Sequence, residues 1–236
     1  MLLRIENLHT YYDDSHVLDG INLEVARGEM VAILGRNGVG KSTTLKSIMG
    51  IVPSRSGSIR FKERDIQALP PYRIARLGLG YVPEERRIFP ELTVRENLIM
   101  GVKPGRKNGP APKWTIERAY RQFPQLAERD STLGGNLSGG EQQMLTLVRT
   151  MLGEPELILI DEPSEGLSPI MAEAILDLIQ KIHKEGIAVI LVDRNLPFTC
   201  SIADRVYIMI KGTIGFTGTG SEVLGSEEIQ AKYLAV

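Results

Sequence analysis

Short runs of aliphatic and β-branched residues recur along the chain at 21–25, 30–34, 58–61, 79–82, 157–160, 187–192 and 205–210. Apolar runs of this length, bounded by Gly, Pro, Asn or Asp, have the dimensions of strands, and most of these seven are predicted strands. Helix-period segments separate several of them, and that alternation builds a largely parallel sheet with helices on its faces. Near the N-terminus strands follow one another directly, which predicts an antiparallel portion. The fold class is α/β. Residues 105–112 (Gly-Arg-Lys-Asn-Gly-Pro-Ala-Pro) read as a loop by turn chemistry, and the surrounding stretch, about 88–150, is helical in pattern. A helical subdomain inserted into the α/β core is expected there. One helix is fully specified. Ser168 is a good N-cap, Pro169 occupies the first turn where a missing N–H costs nothing, and Met171, Ile175, Leu178 and Ile182 form one apolar face. Gly186 stops it.

Composition narrows the class. At about 150 residues per domain, 236 residues make one large domain or a core with a subdomain. The 42% of hydrophobic residues supply its core without a disulfide or metal staple. Cys200 is the only cysteine, and the first ten residues carry no charged n-region followed by an apolar segment, so a reducing, cytoplasmic setting is expected. No apolar run approaches the roughly 18 to 20 residues of a spanning helix. With 28 basic and 29 acidic residues the formal charge is −1, which removes a general electrostatic grip on a polyanion, and nucleic acid is not an expected partner. His9, His16 and His183 are expected to be isolated surface histidines without a metal-ligand cluster, Cys200 a packed thiol, and Trp114 a packing residue opening a helix. Lys103, Arg106 and Lys107 make a basic cluster, read as a solvated loop.

The first chemical motif is Gly35-Arg36-Asn37-Gly38-Val39-Gly40-Lys41-Ser42, directly after the apolar run 30–34 and directly before a helical pattern that opens at Thr43. It fits the phosphate-binding loop G-x-x-x-x-G-K-[ST] in its required context, and makes the core a P-loop NTPase of the RecA-like type. Glycines let successive N–H groups curl inward, the following helix adds its positive end, Lys41 places a charge on the β and γ phosphates, and Ser42 is a Mg²⁺ ligand. The second motif is the apolar run 157–160 ending in Asp161 and Glu162, at the strand end where α/β sheets hold ligands. Asp161 is placed to hold Mg²⁺, and Glu162 to accept the proton of the water attacking the γ-phosphate. The third is Leu137-Ser138-Gly139-Gly140-Glu141, ahead of a helix with apolar positions Met144, Leu147, Val148 and Met151. Ser138 and Glu141 form a capping box. Two glycines in the first helical turn cost roughly 1 kcal/mol each against alanine, so they serve something other than helix stability. Two helix N-termini do not easily share one γ-phosphate within a chain. Ser138 is therefore expected to face nucleotide held by a second copy, in a head-to-tail twofold dimer.

In that order and combination the motifs resemble those of ATP-binding cassette (ABC) ATPases, over essentially the whole chain. The closer likeness is to the ATPase subunits of high-affinity branched-chain amino acid importers, with urea and amide importers next. It is carried by Arg36-Asn37-Gly38-Val39-Gly40-Lys41-Ser42-Thr43, Tyr81-Val82-Pro83-Glu84, Arg87-Ile88-Phe89-Pro90 with Leu92-Thr93-Val94, and Glu141-Gln142-Gln143-Met144-Leu145. The resemblance implies a single cassette domain over 1–236, with hydrolysis of MgATP to ADP and phosphate. It implies a homodimer or a heterodimer with a paralogous ATPase subunit, integral membrane permease subunits docked between 84–90 and the helical subdomain, and indirectly a solute-binding protein. It also implies a place on the inner face of the cell membrane.

By the same resemblance Tyr12 stacks on adenine, with Tyr11 as the alternative, and base selectivity is modest. Glu84 stands where most members carry glutamine and is a candidate metal ligand. Arg194 stands where most carry a switch histidine, and two readings remain open: contact with the γ-phosphate, or an exposed side chain paired with Asp193. A guanidinium stays protonated, so Arg194 cannot shuttle a proton and the base role falls to Glu162. Ser168 lies where the family usually has aspartate, and its capping role explains it. Two rivals are a soluble ABC-type factor acting on nucleic acid or ribosomes, which usually shows twin cassettes or long coiled coils, and a nucleotide-dependent assembly module without significant hydrolysis.

Overall fold

The strands fall into two sheets. The computed structural model describes residues 1–103 and 111–234, so most of the expected 105–112 loop, with Arg106 and Lys107, lies outside the described residues. Strands β1 (Leu3–Tyr12), β2 (Ser15–Val25), β4 (Ser54–Phe61) and β5 (Arg64–Asp65) form an antiparallel sheet in the order β2-β1-β4-β5. Strands β3 (Met30–Leu34), β6 (Leu79–Val82), β7 (Leu157–Asp161), β8 (Ala188–Val192), β9 (Arg205–Ile210) and β10 (Thr213–Gly218) form a second sheet in the order β10-β9-β3-β8-β7-β6. Only the β9–β10 pair of that sheet is antiparallel. Every residue of β3, β7 and β8 is buried, as expected of parallel strands covered on both faces.

Strands β1 and β10 are absent from the apolar pattern for identifiable reasons. Leu3 and Ile5 are buried and Arg4 and Glu6 exposed, a proper alternation, but Asn7 at φ 47° and register shifts on both sides of Leu8 break it. Strand β10 is a half-exposed edge strand with two glycines.

Helix α1 (Lys41–Ile48) follows β3, and α2 (Pro71–Leu77) precedes β6. Between β6 and β7 the regular elements are helical: α3 (Val94–Ile99), α4 (Ile116–Gln122), α5 (Pro124–Glu128) and α6 (Gly139–Met151), with a short 3₁₀ turn at Gly134–Asn136. Helices α7 (Pro169–Lys184), α8 (Leu196–Ile202) and α9 (Gly220–Gly225) link or follow the remaining strands. Helix α7 starts as its sequence dictates. Ser168 Oγ accepts from Met171 N–H, Pro169 is in the first turn, Ile175, Leu178 and Ile182 are buried, and Gly186 takes φ 83° just past the end. Trp114 is buried, but α4 begins two residues later with Thr115 as its cap.

One apolar cluster fills the space between the two sheets and around α1, with Leu3, Ile5, Leu18, Ile33, Leu45 and Phe61 among its members. Another lies beneath α3, α6 and α7, where Leu98, Leu145, Val148 and Ile179 pack on Val82, Ile158 and Ile160 of the parallel sheet. Because β3, β8, β7 and β6 are parallel neighbours, their C-terminal ends share one edge. Gly35 after β3, Asp193 after β8, Asp161 at the end of β7 and Pro83 after β6 stand there in that spatial order. Among the described residues no helix is long and apolar enough to cross a membrane.

Candidate functional site

An open cleft of about 330 Å³ lies on that edge, lined by Asn37, Gly38, Gly40, Lys41, Ser42 and Thr43 with Val17, Glu84, Glu162 and Arg194. Gly35, Gly38 and Gly40 have φ of 144°, 79° and 108°. A Cβ on Gly35 would stand 2.6 Å from Met209 O, and one on Gly40 2.7 Å from Leu18 Cδ2, so close packing as well as the left-handed backbone requires glycine at both. Gly40 caps the start of helix α1 without a side chain to bond its N–H groups, which leaves the first of them free for an anion. Lys41 Nζ donates to Gly35 O (2.9 Å) and Arg36 O (3.0 Å). Burial lowers the Lys41 pKa, and Glu162, 3.9 Å away, opposes that. Arg36 and Val39 complete the loop without lining the cleft, Val39 packing toward the core.

Ser42 Oγ donates to Asp161 Oδ1 at 2.9 Å, and Tyr81 OH lies 3.4 Å from Oδ2. Asp161 is buried, which raises its pKa, while the Ser42 hydrogen bond lowers it. A hydroxyl and a carboxylate already in contact, with Glu84 on the same cleft, make an all-oxygen donor set that fits a hard cation such as Mg²⁺.

Glu162 takes φ 41°, a strained conformation for a residue with a Cβ, held by its N–H to Val192 O at 2.7 Å. Its side chain is 7% exposed. Burial raises the Glu162 pKa, and Arg194 and then Lys41 act against it. Arg194 Nε sits 2.6 Å from Glu162 Oε2, and Arg194 Nη1 3.1 Å from Glu165 Oε2. The Nε contact is electrostatic without hydrogen-bond alignment, so Oε2 has no hydrogen-bond partner.

Of the two readings left open for Arg194, the one that pairs it with Asp193 is therefore corrected. Asp193 is buried and accepts from Ser164 Oγ (2.7 Å) and the Asn195 N–H (2.8 Å), and Arg194 turns to the two glutamates instead. Sequence reasoning did not foresee Tyr81 or Glu165 in this site; Tyr81 reaches it because β6 packs beside β7, and Glu165 because the turn after Glu162 brings it under Arg194.

Tyr11 is sandwiched. One face stacks on His16 with centroids 4.2 Å apart, and the Arg55 guanidinium lies 4.5 Å from its centroid. Tyr12, at the hairpin end of β1, is 44% exposed. Leu137, Ser138, Gly139, Gly140 and Glu141 do not line the cleft. Their capping box is formed, with Ser138 N–H donating to Glu141 Oε2 at 2.8 Å. Gly140 has a reason within the chain, since a Cβ there would overlap the Met171 side chain of α7.

The histidine expectations are also corrected. His9 Nδ1 and His16 Nε2 lie 3.1 Å apart beside Asp19, because the bulged β1 and its partner β2 bring them to one face. His183 is 20% exposed and 3.6 Å from Asp204.

A strand-loop-helix cradle set beside an acidic strand end on one sheet edge defines the molecule as a P-loop nucleotide-binding protein. Residues 18–165 match the family model described as ABC transporter. The chain belongs to that family, as an ATP-binding subunit that hydrolyses ATP in the service of transport. It is 38% identical over 233 residues to the high-affinity branched-chain amino acid transport ATP-binding protein BraG of Pseudomonas aeruginosa, covering 99% of each chain. It is 34% identical to the probable branched-chain amino acid transport ATP-binding protein LivF of Archaeoglobus fulgidus, covering 97% of each. The lipopolysaccharide export system ATP-binding protein LptB of Escherichia coli is 36% identical over 98% of this chain and 96% of its own. Among solved structures, the ADP conformation of an ATP-binding cassette of an ABC transporter superposes with a TM-score of 0.83 at 27% identity, covering 100% and 99% of the two chains.

Proposed function

We propose that this chain is the ATP-hydrolysing motor of a solute importer, with branched-chain amino acids as the cargo. The observation that carries the motor reading is the meeting of the Lys41 loop, the Ser42–Asp161 pair and Glu162 on one sheet edge. In this reading the β and γ phosphates take the place of the Gly35 and Arg36 carbonyls at Lys41 Nζ and engage the N–H groups of Gly38 to Thr43. Ser42 and Asp161 would hold Mg²⁺, with Glu84 as a further candidate ligand, and the ion would supply positive charge that offsets the charge on the phosphates. Glu162 orients the attacking water and takes its proton, and its burial suits that work by raising its affinity for a proton. Arg194 holds the Glu162 carboxylate in place. Tyr12 stacks on the adenine, Tyr11 being covered on both faces.

The working unit is a head-to-tail dimer, with a second copy or a paralogous ATPase subunit, in which Leu137 to Glu141 of one chain close over nucleotide held by the other. Permease subunits dock beside residues 84–90. A groove of about 490 Å³ with Phe89, Met100, Val102 and Arg149 on its walls supports that position, and the three apolar side chains are exposed. Docking there makes the chain peripheral on the inner face of the membrane, with a solute-binding protein as an indirect partner.

Glu162→Gln tests the motor reading. ATP binding is retained, phosphate release falls roughly 10²- to 10⁴-fold, and the dimer accumulates with ATP bound. Near-normal turnover removes Glu162 from the base role. Similarity to two branched-chain amino acid subunits supports the cargo, and the near-equal similarity to lipopolysaccharide export subunits supplies the second reading. Co-purification decides between them. Recovery of permease subunits whose binding protein takes up leucine or valine supports import, and recovery with lipopolysaccharide-export components overturns it.

A further inference from the structure

The hairpin behind Tyr12 carries a second cluster of chemistry, outside the nucleotide cleft. His9 on β1 and His16 and Asp19 on β2 point one ligand atom each at a common position. His9 Nδ1 is 3.1 Å from His16 Nε2 and 3.4 Å from Asp19 Oδ1, and His16 Nε2 is 3.8 Å from the same oxygen. For a tetrahedral ion with bonds of about 2.0–2.1 Å, ligand atoms are separated by about 3.3–3.4 Å. The three observed distances bracket that edge length, so the atoms already outline one face of such a tetrahedron.

The neighbours set the state of these rings. Asn7 Oδ1, an acceptor, lies 3.2 Å from His9 Nε2, which assigns the ring proton to Nε2 and leaves Nδ1 with its lone pair facing His16 and Asp19. Asn7 is itself fixed, since its N–H donates to Asn22 Oδ1 at 3.0 Å. Gly20 leaves room for this arrangement; a Cβ there would come within 3.2 Å of Asn7 Oδ1. The His16 ring is held flat against Tyr11, 1° from parallel. Both imidazoles are thus oriented by partners that do not bind the ion, as metal-ligating histidines usually are.

We propose that His9, His16 and Asp19 form a binding site for a divalent transition-metal ion of the Zn²⁺ class, with solvent completing its coordination. Two imidazoles and one carboxylate suit Zn²⁺ over Mg²⁺, which takes oxygen ligands at shorter, octahedral spacing. The ion cross-links β1 to β2 just behind the Tyr12 end of the hairpin, and its binding stabilises the folded chain by mass action.

The test uses the tag-free full chain, with Zn²⁺ titrated by calorimetry and Co²⁺ as a visible-absorption probe of geometry. One Zn²⁺ per chain, intense tetrahedral-type Co²⁺ bands, and a thermal midpoint raised by Zn²⁺ are expected. His16→Gln and Asp19→Asn each lower Zn²⁺ affinity at least 100-fold. Asn7→Ala lowers it about 10- to 100-fold by freeing the His9 tautomer. Asp161→Asn leaves it unchanged, which separates this site from the nucleotide cleft. Asp19 is exposed, so its variant keeps the test valid if the His16 variant folds poorly. Equal Zn²⁺ affinity in Asp19→Asn and the parent chain, loss of binding in Asp161→Asn instead, or no binding by the parent chain at millimolar Zn²⁺ overturns the proposal.

Discussion

Gly139 and Gly140 share one helical turn but meet different neighbours. A Cβ on Gly140 runs into Met171 of α7, whereas one on Gly139 meets the far end of Arg86, which can swing aside. Gly140→Ala is expected to destabilise the chain by about 1–3 kcal/mol through overpacking, partly offset by the better helix propensity of alanine. Gly139→Ala is expected to be neutral or stabilising in urea denaturation while reducing ATPase activity, as follows if its open N–H face serves nucleotide in the proposed dimer. Equal stability losses at the two positions would refute this division. Arg194 touches Glu162 and Glu165, and in the proposed mechanism it acts through the Glu162 base. Arg194→Gln should slow turnover on the order of 10- to 100-fold with ATP affinity changed only a few-fold, as expected when a reacting group is misplaced. A loss confined to ATP affinity in nucleotide titrations would place Arg194 on the phosphates instead.

Between elements, Glu156 is one of the polar ties between the two sheets. It precedes β7, contacts Lys62 at the end of β4, and receives Arg27 Nη1 from the turn after β2 at 3.0 Å. Burial pushes its pKa up, but the hydrogen bonds and charges of Lys62 and Arg27 outweigh that, and the carboxyl lies below its ordinary value. A depressed folded-state pKa contributes stability that is present above the unfolded value, about 4.3 for glutamate, and disappears as pH falls through the folded value. Glu156→Gln should therefore lower the thermal midpoint at pH 7, and the gap from the parent chain should close below about pH 4. A gap that stays constant from pH 7 to pH 3.5 would show that packing, not charge, is what Glu156 supplies.

At the scale of the whole molecule, a head-to-tail dimer makes a stoichiometric prediction. Lys41→Ala disables the cradle and Ser138→Arg disables the opposing helix, and each variant alone should be inactive. Mixed in equal amounts, half of the dimers carry one of each and contain one intact site. About one quarter of parent activity should return if the sites act independently and the dimer is of identical chains. No recovery on mixing, with dimers demonstrated by chain exchange, would mean that Ser138 serves its own chain's nucleotide.

Much of this was legible along the chain because the interactions responsible are local. The strands 30–34, 79–82 and 205–210 have the bounds their apolar runs predict. The cap and face of α7 follow from residues within a few positions of one another, and the phosphate loop is read from consecutive residues in a strand-to-helix context. The tertiary structure alone decided which strand ends stand side by side. The order β3-β8-β7-β6 delivers Arg194 to Glu162 rather than to Asp193, and Tyr81 to Asp161. A bulge at Asn7 hid β1 from the period-two pattern and turned two histidines that look solitary in the sequence into neighbours. The physical reason is the same in each case. Periodicity and capping are properties of residues close along the chain, whereas these contacts depend on sheet register and close packing between segments that lie far apart in it.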